Sequence, residues 1–272
     1  MGSVKMSLSI TTDIFNYTFK PSISEKLPIF KENGFDYIHW CDNWDDEALY
    51  SHDLMQKYAD LLADSGVLCL DVHGTATRAV SIDAVDPRNQ RAYIKLLENR
   101  LQFCYNVGGD AVVVHPPKYH EPDLEKRMAQ SHKVIKAVEN LCIDKSLRLA
   151  FENCSRDDHL ILMEYFEQYP PEFMGFCFDS GHANLHKNLD EVMKFGDRLI
   201  VTHLHDNKGI SDDHQQPGWG TVDWSKVSKW IKSIKLRKPW NLEVTHNGEY
   251  FSGFIDEYMK TVCEASRTHL MV

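Results

Sequence analysis

The stretch LIVTHLHDNKGISDDHQQPGWG, Leu199 to Gly220, decides the fold. It opens as an apolar run, Leu199-Ile200-Val201, of the kind that a buried parallel strand shows. The run gives way to Thr202-His203-Leu204-His205-Asp206-Asn207, where a side-chain period of two sets His203 and His205 on one face and Leu204 on the other. A Gly- and Asp-rich loop follows with Asp212, Asp213 and His214, and Pro217-Gly218-Trp219-Gly220 closes it. Three imidazoles and several carboxylates at the end of an apolar strand point to a divalent-metal pocket. The plainer reading is a polar strand end with solvated loop histidines.

Working outward, short apolar runs alternate with longer stretches of helical period. Strands are predicted at 6–12, 35–41, 67–73, 110–115, 148–153, 174–179, 199–205 and 240–245, with helices at 22–33, 52–65, 87–107, 123–145, 157–169, 189–196, 223–235 and 251–265. Asp86-Pro87, Pro122-Asp123 and Asp223 supply helix-start chemistry, and Gly34, Gly66 and Gly108-Gly109 fall where helices should stop. Eight strand–helix alternations without a long linker predict an α/β protein, a single (β/α)8 TIM barrel over residues 1–272. An open doubly wound sheet would want a Gly-rich phosphate turn after the first strand, and none is present.

In such barrels the chemistry sits where strands end. The third predicted strand ends at His73, the fourth at His115-Pro116-Pro117, the fifth at Glu152-Asn153 and the sixth at Asp179-Ser180-Gly181-His182. The seventh ends at His203 and His205, the eighth at Glu243 to His246. A carboxylate at the edge of a barrel interior needs a cation or a strong donor, so Glu152 and Glu243 each ask for a metal or a basic partner. Asp179 is open to two roles, metal ligand or cap of the next helix. His39 reads as a pocket-lining residue or, beside Trp40, as a packing one, the latter preferred. Trp40, Trp44, Phe15 and Trp219 are read either as aromatic walls of a sugar pocket or as core filler, and Lys118 as a pocket cation or a solvated one.

Net charge is −10, which disfavours extended nucleic-acid binding. Seven cysteines without a C-x-x-C pair read as small core residues in a reducing compartment. Met1 to Lys5 has no apolar core, and no apolar run approaches the ~18 residues of a membrane span. The expectation is a cytoplasmic protein without membrane contact.

Together VVVHPP (112–117), FEN (151–153), FDSGHAN (178–184), THLHDN (202–207), DDH (212–214), GWGTVDW (218–224) and LEV (242–244) carry a resemblance. The chain resembles the sugar phosphate isomerase/epimerase family of xylose isomerase-like TIM barrels, which share their fold with the endonuclease IV type of abasic-site endonuclease. The ketose epimerases of that group imply one divalent ion on Glu152, Asp179, His203 and Glu243, with His182 against the substrate and His205 at a variable pocket position. The endonuclease branch implies up to three zinc ions on His73, His115, Glu152, Asp179, His182, His203, Asp212, His214 and Glu243.

The resemblance implies an isomerase or epimerase of a small sugar, sugar phosphate or cyclitol, working through a metal-held ene-diolate with Glu152 and Glu243 moving the proton. Manganese, zinc, cobalt, magnesium and iron all suit the ligand set. A keto-polyol dehydratase on the same site, or a multi-zinc phosphoesterase, is the alternative. Barrels of this kind often pair, so a homo-oligomer is compatible.

Overall fold

Ala111–Val114 is a run of four wholly buried residues, and it forms the strand β4 of a parallel sheet, paired on both sides. A strand with both faces covered has no polar alternation to show, which is why its sequence is continuously apolar. In a computed structural model that describes residues 7–15, 21–77, 80–234, 236–246 and 255–270, the same pattern repeats round a ring. The other strands are β1 (Leu8–Thr11), β2 (Tyr37–Trp40), β3 (Leu68–His73), β5 (Arg148–Glu152), β6 (Met174–Asp179), β7 (Leu199–His203) and β8 (Trp240–Leu242). Their order is β7-β6-β5-β4-β3-β2-β1-β8, every ladder parallel. Leu204 N–H donates to Asn241 O at 2.9 Å and Glu243 N–H to Leu204 O at 3.1 Å, which joins the last two strands. The barrel is nearly closed.

Helices α1 (Ile23–Glu32), α2 (His52–Ser65), α3 (Pro87–Asn106), α4 (Leu124–Lys145), α5 (Asp158–Gln168), α6 (Ser180–His186), α7 (Leu189–Val192), α8 (Trp224–Ile234) and α9 (Ile255–Leu270) surround it. Ser22 and Glu25 form a capping box at α1, and Ser51 and Asp86 cap α2 and α3 by accepting from Leu54 and Arg88 N–H. Asp123 departs from its expected cap role: its φ of 59° is left-handed and its side chain makes no cap bond. The helix expected at 189–196 is split into α7 and a 3₁₀ turn at Met193–Arg198, because Phe195 leaves helical geometry. Strands seven and eight stop at His203 and Leu242, short of the expected 205 and 245. Residues 1–5, position 6 of the first expected strand, 235 and 251–254 lie outside the described residues. All seven cysteines are free thiols, and no helix of the described residues is long and apolar enough to cross a membrane.

The floor of the barrel carries one charged chain. Lys238, on the loop before β8, reaches Asp71 Oδ2 at 2.6 Å and Asp110 Oδ1 at 2.5 Å, and Asp71 is 2% exposed. Breaking such a pair leaves an uncompensated buried charge. Lys238→Met is therefore expected to lower stability by about 3–5 kcal/mol in urea unfolding, and an unchanged midpoint would mean that Asp71 is neutral in the fold.

Candidate metal centre

Parallel strands all point the same way, so their last residues share one rim. Glu152 ends β5, Asp179 ends β6, His203 ends β7 and Glu243 follows β8. One donor atom from each of these four lies within 4.8 Å of the others, and all four side chains are buried. His203 Nδ1 stands 3.0 Å from Glu243 Oε2 and 3.4 Å from Glu152 Oε1.

A second tier surrounds them. His115 Nε2 and His73 Nε2 stand 3.3 and 3.7 Å from Glu152 Oε2. His182 Nδ1 stands 3.2 Å from Glu152 Oε1 and donates to Asn153 O, and its Nε2 meets Asp212 Oδ2 at 3.1 Å. His205 Nε2 bonds Asp179 Oδ2 at 3.0 Å, and its ring stacks on His214 with centroids 4.0 Å apart. His214 donates Nδ1–H to Glu243 O at 2.8 Å, which turns its Nε2 to Asp212 at 3.2 Å. The structure thus brings together Glu152, Asp179, His203, Glu243, His182, His205, Asp212, His214, His73 and His115.

Asp179 takes the cap role with one oxygen and leaves the other facing the pocket. Its Oδ1 caps α6 by accepting from His182 N–H, and its Oδ2 faces the pocket through His205. Asn153 holds the same strand end by accepting from Asp179 N–H and donating to Asp179 O. Gly181 is required beside it: a Cβ there would stand 1.9 Å from His205 Cε1. Gly181→Ala is expected to push the His205 ring off Asp179 and cost about 1–3 kcal/mol in thermal unfolding. A variant as stable as the parent would show that the ring has somewhere else to go.

Burial would raise Glu152 and Glu243, but the neighbouring His203 charge holds both below the usual carboxylate range. Burial would lower His203, His182 and His214, yet their neighbours hold all three up: Cys177, Glu243 and Glu152 for His203, Asp179 and Asp212 for His182, and chiefly Asp212 for His214, which is raised to about 10. His73 is held down, chiefly by burial. It donates Nδ1–H to Gly74 O, so it turns an unprotonated Nε2 toward an ionised Glu152 Oε2. Two acceptors face to face are reconciled by a shared cation. Glu152 Oε2 and both ring nitrogens of His203 are buried without an aligned hydrogen-bond partner among the described residues. His115 comes near Glu152 Oε2 without hydrogen-bond alignment. The donor set therefore fits a divalent ion of mixed oxygen and nitrogen preference.

Two sequence readings are corrected on β2. Trp40, read as a pocket wall, is 1% exposed and packs its ring against Tyr58 and Phe103, with Nε1–H donating to Tyr50 Oη. His39, read as packing, is the inward residue: its ring lies 4.6 Å from that of His203, and its donor atom joins those of His203 and Glu243. Phe15 is core, stacked on Phe30, whereas Trp44 does border the centre, 5.4 Å from the His73 ring. Lys118 lines a cavity of about 580 Å³ with Thr75, Arg127 and His115, the last of which it shares with the candidate centre. Trp219 stands half-exposed on the turn after β7. Asp71 was missed, although an acidic residue in mid-strand, two before His73 on the same face, was a legible signal.

A model of the family described as xylose isomerase-like TIM barrel matches residues 27–261. An uncharacterised protein of Sinorhizobium fredii is 26% identical over 255 residues, 83% of this chain and 82% of its own. Among solved structures, a D-psicose 3-epimerase with D-tagatose from Clostridium cellulolyticum superposes with a TM-score of 0.78 at 12% identity, over 97% of this chain and 99% of that one. The IolI protein with a binding zinc atom gives 0.77 at 17%, over 97% and 98%. A D-tagatose 3-epimerase-like protein gives 0.73 at 17%, over 95% and 99%. At these identities the likeness to the solved structures is one of fold.

Proposed function

Since the chain belongs to the xylose isomerase-like TIM barrel family, we propose that it is a divalent-metal-dependent isomerase or epimerase of a small sugar, sugar phosphate or cyclitol. The observation that carries this reading is the buried four-donor set Glu152, Asp179, His203 and Glu243 at the strand ends. Those four residues would hold the ion, and when bound it supplies positive charge where a substrate carbonyl gathers negative charge. The chain's own residues do the rest. Glu152 and Glu243, held ionised, come from β5 and from the end of β8 and flank the space between them. One takes the proton next to the carbonyl and the other returns one. His182 is fixed through Nδ1 by Asn153 O, and its Nε2, paired with Asp212, would turn to a substrate hydroxyl in place of that carboxylate. Trp44 walls the site beside His73 and His115, and Lys118 stands further along the cavity. The solved structures of this fold include a D-psicose 3-epimerase with D-tagatose and a D-tagatose 3-epimerase-like protein, which is in keeping with this reading.

A second reading has its own observation. His205, Asp212 and His214 form another three-donor group, and His73, Glu152 and His203 a third, as a multi-zinc phosphoesterase would need. Elemental analysis of protein purified without chelator separates the two. About one ion per chain, with solvent deuterium entering a ketose, ketose phosphate or keto-inositol, is the expected result. Two or three zinc ions with phosphoester cleavage would replace the isomerase by the phosphoesterase. Deuterium entry followed by loss of water would make it the dehydratase.

A further inference from the structure

Beneath the centre, two buried side chains on β2 and β3 and a partly buried lysine on the loop before β8 form one hydrogen-bonded line. Lys238 meets Asp71 Oδ2 at 2.6 Å, and Asp71 Oδ1 meets His39 Nδ1 at 2.5 Å. The line is built by register, since β2 and β3 place His39 and Asp71 opposite each other. Both side chains are almost fully buried, His39 at 0% and Asp71 at 2% exposure. An ionised carboxylate beside an ammonium has only lone pairs to offer, so His39 Nδ1 must be the donor. The Nε2 end of the same ring is buried without a hydrogen-bond partner among the described residues. The ring stands 4.6 Å from that of His203, and one donor atom each from His39, His203 and Glu243 lie within 4.8 Å of one another, a group that shares His203 and Glu243 with the four-donor set.

A carboxylate that takes the far N–H of an imidazole is the usual support of a metal-bound histidine, since it fixes the ring and raises the basicity of the other nitrogen. We infer that His39 is a fifth donor to the ion held by Glu152, Asp179, His203 and Glu243, reaching it from the barrel floor, with Asp71 and Lys238 as its positioning residues. The inference rests on the reading of those four residues as a cation site. A structural role alone would not require an orphaned nitrogen aimed at His203 and Glu243. Packing or charge neutralisation would be served by Asp71 and Lys238 without an imidazole.

Cobalt(II) titration of the purified, chelator-stripped protein tests it, read by the visible absorption band and by ions bound per chain. His39→Gln keeps a donor for Asp71 but has no imidazole lone pair. It is expected to weaken cobalt binding by more than the roughly 10–100-fold that loss of an outer-shell partner costs and to change the absorption band, with stoichiometry still near one. Asp71→Asn keeps the imidazole and loses the anionic support, and is expected to show a smaller loss in the same direction. Unchanged affinity and band in both His39→Gln and Asp71→Asn, in folded protein, would overturn the fifth donor and leave the four-residue site standing. A drop from two ions to one in His39→Gln would overturn it in favour of a separate second ion. No cobalt bound by the unaltered protein would overturn the inference and the metal reading together.

Discussion

Glu152→Gln is expected to lower turnover by about 10²–10⁴-fold, the usual worth of one positioned proton-transfer group, in a protein that still folds and still takes up its ion. Glutamine keeps the volume and one acceptor oxygen of the buried side chain but accepts no proton. Glu243→Gln should lose activity to a similar degree, because the two carboxylates have different tasks on one substrate. The pair of variants also tells which carboxylate does what. In an epimerase, removing the residue that returns the proton leaves the other still able to exchange the substrate hydrogen with solvent. One of the two variants should therefore take deuterium into substrate without inverting it, and the other should do neither. Proton NMR in D₂O reads both events on one sample. Full exchange and inversion by both variants would remove the two glutamates from the chemistry. Gln variants that lose their ion along with activity would reduce them to ligands.

Much of this site was legible because a parallel barrel concentrates its chemistry at one edge. Once the apolar runs are aligned, the strand-end residues His73, His115, Glu152, Asp179 and His203 can be read off as a ring. The structure sets their side chains around one space, and the eight-strand parallel barrel agrees with the alternation from which it was read. The misreadings share one physical cause. β2 is only four residues long and buried on both faces but for one end, so Tyr37-Ile38-His39-Trp40 shows no polar alternation from which to tell inside from outside. Trp40 looked like a sugar platform by its chemistry, yet register with Thr11 and Asp71 turns His39 inward, and the period of two then turns Trp40 out. Asp71 was hidden for a related reason. A carboxylate inside an apolar run looks like an exception until its partner is known, and Lys238 lies far along the chain, on a loop with no pattern of its own. One cap failed where backbone conformation decides: Asp123 has the right side chain, but its φ is left-handed and it makes no cap bond.

Removing the ion is expected to cost the fold as well as the activity. The centre collects Glu152, Asp179 and Glu243 round His203 and sets Asp212 against His182 and His214, and these neighbours, with Cys177 beside His203, hold the three imidazoles above their usual range. Ligands of this kind bind an ion in the folded state and scarcely at all in the unfolded one, where they are scattered over about a hundred residues of chain, as the positions of Glu152 and Glu243 show. An ion at one hundred times its dissociation constant then stabilises by about 2.7 kcal/mol. At about 2–4 °C per kcal/mol for a chain of this size, the loaded protein should melt about 5–10 °C above the chelator-stripped one. Glu243→Ala, which removes a ligand and the neighbour that holds His203, should melt at the same temperature with and without ion. The imidazoles must give up protons to accept a cation, so ion binding at neutral pH releases protons and weakens as pH falls. Calorimetry in two buffers of different ionisation enthalpy reads that release directly. A melting temperature that ignores the ion in the unaltered chain, or a shift that survives in Glu243→Ala, would place the ion elsewhere than between these strand ends.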